Sequence, residues 1–156
     1  MKSWLLIALA ILGAVVALSN PAVSDQVNVT AEVPAYVSVV FNYNAVSFGT
    51  VQPGSTDYPA PGNSQGLYNV TVTSNVNLNV SIYRTVWTPN DVLTLKFARG
   101  TTVPSNPQVT VTTSSQLVGT ISAGEFTDYH AYWLTVPTVT PPGSYSTTVT
   151  ITYLPA

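Results

Sequence analysis

Of 156 residues none is cysteine, one is histidine, and only 6% carry charge. Each scarcity removes a class of explanation. Without thiols no disulfide restricts the unfolded chain and no cysteine-based metal or redox chemistry is available, so stability has to come from packing. Four Lys and Arg stand against six Asp and Glu, with no run of either sign. A phosphate backbone is gripped by clustered cations that displace its counterions, and anionic lipid headgroups ask for the same, so no nucleic acid and no charged membrane surface is expected as a partner. With so few ionised groups, solubility and packing are expected to vary little with pH.

The same scarcities bear on catalysis. His130 sits in Asp128-Tyr129-His130-Ala131-Tyr132 and would share a strand face with Asp128, with Glu125 close by. A zinc site needs three or four converging ligands and an ordered second shell, and no HExxH helix is present. The expectation for His130 is therefore an exposed or half-buried strand position. Serine and threonine hydroxyls are plentiful, but the only base has no triad pattern around it, and no spacing among the acids singles out a glycosidase-like pair. No enzyme activity, metal or cofactor is expected.

What is present in abundance is alternation. Val70, Val72, Val76, Leu78, Val80 and Ile82 recur at every second position, with Ser74 the one lapse, and Thr71, Thr73, Asn75, Asn77, Asn79 and Ser81 lie between them. That is the period of a strand with one face in a core and one in water, and a helix through these residues would scatter its apolar positions around the cylinder. The outward face bears hydroxyls and amides in place of Lys and Glu, as suits an extracellular surface that does not depend on ionised groups.

The chain begins with Lys2, an uncharged run over residues 4–18, and then small residues, the layout of a secretory signal peptide. Two cleavage sites fit the small-x-small rule: Ala17-Leu18-Ser19 before Asn20, and Ala22-Val23-Ser24 before Asp25. The second is preferred because alternation starts right after it, giving a leader over 1–24 and one domain over 25–156. A retained anchor is the alternative, but the uncharged run falls short of the ~20 residues a spanning helix wants. A secreted protein that meets the membrane only during export is expected.

After the leader, Val27, Val29, Ala31 and Val33 alternate with polar residues in a first strand, and the parity continues past Pro34 through Val37, Val39 and Phe41. A short strand is expected at Val46-Ser47-Phe48-Gly49, a Pro-Gly turn at Pro53-Gly54, and a loop over 58–66. Further strands are expected over 67–84, broken near Ser74-Asn75, and over 91–98, 108–113, 117–121, 129–136 and 144–154. The fold class is all-β, an immunoglobulin-like or jelly-roll-like sandwich of about seven to nine strands, preceded by the leader as an N-terminal signal-peptide helix.

Trp87, Trp133 and the nine tyrosines are candidate sugar-stacking faces: Trp133 lies mid-strand, which favours core filling, whereas Trp87 at a strand end suits a surface site. Three sequons begin at Asn28, Asn69 and Asn79, each on the polar parity of its strand, and would carry N-linked glycans on an exported chain.

The segments Val33-Pro34-Ala35-Tyr36-Val37-Ser38-Val39, Val46-Ser47-Phe48-Gly49-Thr50-Val51-Gln52-Pro53-Gly54-Ser55 and Pro142-Gly143-Ser144-Tyr145-Ser146-Thr147-Thr148-Val149-Thr150-Ile151 resemble the archaeal bundling pilins, secreted sandwich subunits related to the camelysin and TasA biofilm-fibre proteins. The second and third also resemble the spore coat U type of fimbrial domain, whose paired cysteines are missing here. The resemblance implies that an N-terminal segment of one subunit enters the sheet of the next, in a head-to-tail polymer of identical subunits. Residues 25–33 fit that duty by pattern: Val27, Val29, Ala31 and Val33 would be the donated side chains and Pro34 the hinge. The alternative is a monomeric adhesion or carbohydrate-binding module whose residues 25–33 pair within their own domain.

Overall fold

The structure, a computed structural model, describes residues 28–156. The expected leader helix and Val27 lie outside them. Contacts divide the chain into two units, Met1–Val33 and Pro34–Ala156. Residues 28–33 carry no strand, and Val29 and Val33 are 84% and 78% exposed. The alternation expected to make a first strand is thus present in the sequence without a ladder in the described part of that unit.

The second unit holds nine strands in chain order: β1 (Val37–Phe41), β2 (Tyr58–Pro59), β3 (Asn69–Ser74), β4 (Leu78–Arg84), β5 (Thr94–Gly100), β6 (Val109–Val111), β7 (Gln116–Ile121), β8 (Gly124–Thr135) and β9 (Val149–Pro155). No helix occurs among the described residues. A larger sheet of six strands runs β1-β3-β8-β5-β6, with β2 also on β8, and a smaller one runs β7-β4-β9. All pairings are antiparallel. The expected all-β class is therefore observed, as two antiparallel sheets.

β8 is the spine of the larger sheet. One edge pairs with β5 from Thr135 to Tyr129, and the other pairs first with β3 (Gly124 to Tyr129) and then with β2 at Trp133 and Leu134. It begins five residues before the strand expected at Tyr129, because Gly124 to Asp128 are taken up by the β3 ladder. Tyr58 and Pro59 were expected in a loop; a proline is tolerated here because β2 is a short edge strand with nothing beyond it to bond its missing N–H.

The alternation delivers the core directly. Val70 and Val72 of β3 and Leu78, Val80 and Ile82 of β4 are fully buried, while the Thr, Asn and Ser between them are half-buried. Two clusters fill the space between the sheets: Val70, Val72, Leu78, Val80 and Tyr153 at one end, and Ile82, Leu95, Phe97, Val111, Tyr132 and Leu134 at the other. Ser74, the lapse in the pattern, is also buried. Its hydroxyl donates to the carbonyl of Val76 at 2.7 Å and accepts from the Val76 amide at 3.1 Å, closing the bend between β3 and β4.

Register shifts between Val80 and Ser81 where β4 meets β7. Val118 is the extra residue of the bulge and Gly119 flanks it at φ +148°, where a β-carbon would lie 3.2 Å from Nη1 of Arg99. Glycine serves both needs: a backbone angle closed to other residues and room for a guanidinium.

Two further expectations change. Val46 to Gly49 forms no strand, since Gly49 turns into φ +66° and the apolar pair Val46 and Phe48 covers the core instead of joining a ladder. The last strand begins at Val149; residues before it are drawn into a bridge between Ser146 and Thr88.

Candidate functional site

On the side of the sandwich where the larger sheet ends in β1 and the smaller in β9, the layers meet through Phe41 and Tyr153, whose rings stand edge to face at 6.2 Å. Past the end of β1 that side opens into a cleft of 1090 Å³. Its floor is the larger sheet's Leu95, Tyr132 and Leu134, its far wall is Tyr145, Val149 and Ile151 at and before β9, and its near wall is Val46, Phe48 and Val51. Among the described residues no strand pairs with β9 on the side away from β4. The cleft thus combines an unpaired edge with a lining of mixed character, in which these apolar side chains alternate with hydroxyls such as Ser47, Thr148 and Thr150; an open edge and pockets for alternate side chains are the two features a donated strand uses.

Two polar atoms among the lining residues are buried without a hydrogen-bond partner, Nε1 of Trp87 and Oγ1 of Thr140. Trp87, weighed above as a surface platform, is only 7% exposed and belongs to the core cluster. Trp133 is 5% exposed, on the outer face of the larger sheet with Ala98 and Ala131, and lines a second, smaller cavity with Pro61 and Pro104. Little of either indole reaches solvent, whereas Tyr36 and Tyr58 are exposed.

Behind the cleft lies a group that sequence reasoning misplaced. His130 is completely buried, not exposed or half-buried, and Asp128 is completely buried beside it on the same inward parity of β8. Glu125, on the opposite parity, is exposed and joins neither. Oδ2 of Asp128 accepts from Nε of Arg99 at 2.8 Å and from the Tyr153 hydroxyl at 2.7 Å, and stands 3.3 Å from Nε2 of His130. Nδ1 of His130 lies 2.6 Å from the Tyr43 hydroxyl, which lies 2.6 Å from that of Tyr132. A neutral imidazole with its proton on Nε2 satisfies this chain: Tyr132 donates to Tyr43, Tyr43 to Nδ1, and Nε2 toward Tyr153 and Asp128. Oδ1 of Asp128 is left without a partner.

The electrostatics follow from enclosure. Burial lowers the pKa of His130 below its ordinary value, against the opposing pull of Asp128. Burial alone would raise Asp128, but hydrogen bonds from His130, Arg99 and Tyr153 outweigh it and hold the carboxyl below the usual range. Burial also pushes the Tyr43 and Tyr153 phenols upward, the reverse of what an activated nucleophile requires. The network ties β5, β8 and β9 to the segment that follows β1, and its signal in the sequence was the Asp-x-His spacing that puts both side chains on one strand face.

No family model, curated protein or solved structure matches this chain. The function therefore rests on the geometry of the cleft and the pattern of the leading arm.

The remaining candidate residues are spread out. Val29, Ala31 and Val33 are exposed, as are Pro34 and Asn28. Asn79 is half-buried on the central strand of the smaller sheet, with Thr120 and Leu154 as its register partners. Asn69 is less free for a glycan, since its Nδ2 donates to the Gly66 carbonyl at 2.9 Å and its Oδ1 accepts from Asn42 at 2.6 Å.

Proposed function

We propose that this chain is the structural subunit of an extracellular filament, a pilus or biofilm fibre of the archaeal bundling pilin and camelysin–TasA kind, built by strand donation. Residues 25–33 of one exported subunit enter the cleft beside β9 of the next, Val27, Val29, Ala31 and Val33 facing the apolar lining and the backbone bonding to the open edge. In this reading the two sheets are an immunoglobulin-like or jelly-roll-like sandwich short of one strand. The observation that carries it is an open, partly apolar cleft at an unpaired strand edge, together with an alternating segment elsewhere in the same chain. Because donor and acceptor are different surfaces of one molecule, the contact is head-to-tail, and it propagates as an open filament when the rotation between copies does not close a ring.

Support also comes from the composition. A surface of hydroxyls and amides, with N-linked glycans at Asn28 and Asn79, keeps a long polymer solvated without fixed charge. The adhesion or carbohydrate-binding reading loses both tryptophans to burial and is left with the exposed rings of Tyr36 and Tyr58.

The test compares the exported chain with its Val29→Asp variant by size-exclusion chromatography and negative-stain electron microscopy. Strand donation requires filaments from the first and monomers from the second, because an unpaired carboxylate cannot enter an apolar cleft without a large desolvation cost. Filaments from both would end the proposal.

A further inference from the structure

The near wall of the cleft differs in kind from the rest of it. Tyr43, Val46, Phe48 and Val51 are partly buried against the core, yet from Tyr43 to Val51 no amide or carbonyl takes part in a backbone–backbone hydrogen bond. The single bond to an amide there is from Gly49 to Oγ of Ser47, at 3.4 Å. Both ends, by contrast, are tied to the larger sheet. Before the segment the Asn42 amide donates to Asn69 at 3.0 Å; after it Gly54 donates to Val136 at 2.7 Å and Val136 to Ser55 at 2.8 Å.

We propose that residues 44–52 are a resident plug of the cleft, which the leading arm of a second copy displaces. The inference rests on the strand-donation reading and adds a self-blocking contact to it. Val46 and Phe48 repeat the i, i+2 spacing of Val27 and Val29, so the same chain supplies a weak imitation of its own donor. The imitation fills side-chain space but leaves the strand edge unbonded. An incoming arm brings both side chains and backbone groups, so the exchange runs toward the assembled state. Its carbonyls would also meet a site where Trp87 Nε1 and Thr140 Oγ1 are buried without partners. The anchors at Asn42 and Gly54 let the bight swing out with β1 and β2 in place, and Tyr43, held by His130 and Tyr132, marks where release stops. Such a plug keeps an exported subunit soluble until it meets a donor.

The experiment uses the Val29→Asp chain, a monomer whose own arm is defective and whose cleft is intact. A fluorescent synthetic peptide of residues 25–33 is added, uptake is followed by anisotropy, and Phe48 is probed by hydroxyl-radical footprinting before and after. Displacement predicts that Phe48 becomes more reactive on uptake, and that Phe48→Ser, or Val46→Ser should the first fail to fold, speeds uptake about tenfold. Peptide uptake at an unchanged rate in these variants, with Phe48 still protected, overturns the plug and leaves strand donation standing. No uptake in any variant removes the donation reading and the plug with it.

Discussion

Replacing Arg99 by methionine keeps the length of its stem and removes the guanidinium that bonds Asp128. The side chains of Arg99 and Asp128 are 8% and 0% exposed, so water cannot take over the lost bond. Removing one partner of a buried pair costs about 3–5 kcal/mol, because the remaining charge stays desolvated. Against a total stability of roughly 5–15 kcal/mol this is a large share, and for a unit of this size it lowers the melting temperature by about 10–20 °C. Guanidinium unfolding of monomeric chain, followed by tryptophan fluorescence, gives the number. A pH series gives the mechanism. In the native protein Asp128 is held below its unfolded value, so its contribution is present above about pH 4 and is lost as pH falls through the folded pKa. Without Arg99 that pKa rises, so the gap between variant and parent is widest near neutrality and narrows toward acid. A loss under ~1 kcal/mol at pH 7, or a gap constant with pH, would show that Asp128 is not held as an anion by Arg99.

Other expectations are more compact. His130 is held below its ordinary value by burial, so its contribution is complete above pH ~6.5 and falls as pH drops below that, which His130→Gln should flatten in the same titration. Gly119→Ala forces a β-carbon toward Arg99 at a backbone angle alanine resists, and should cost about 1–3 kcal/mol in the same unfolding assay. If residues 25–33 are donated as proposed, Val29→Ala removes two methyl groups from the arm, roughly 1.6 kcal/mol at ~0.8 each, so the critical concentration for filament growth by light scattering should rise about 15-fold.

Local periodicity sufficed to identify the all-β class, the inward valines of β3 and the buried stripe of β4, because a two-residue repeat with one apolar parity has a single low-energy solution once a core exists. It also placed Asp128 and His130 on one face. Burial of that face was not legible, since a histidine amid tyrosines reads equally well as a wet position until Arg99, Tyr153 and Tyr43 arrive from three distant parts of the chain. The same limit applies to Val46 and Phe48, whose spacing resembles a strand. Whether such a pair joins a ladder depends on a neighbour with free backbone groups in reach, and pairing is a property of the assembled sheets.

The amino-acid sequence by itself determined the class of structure, the identity of the core stripes and the alternating arm, all of which follow from short-range pattern. The tertiary structure alone decided that the smaller sheet ends at β9, that a cleft opens beside it, and that an ion pair with a histidine is sealed behind that cleft. Edges, voids and enclosed charges arise from how many strands each sheet holds and how the layers meet. Those quantities are set by contacts between residues far apart in the chain, and no local pattern encodes them.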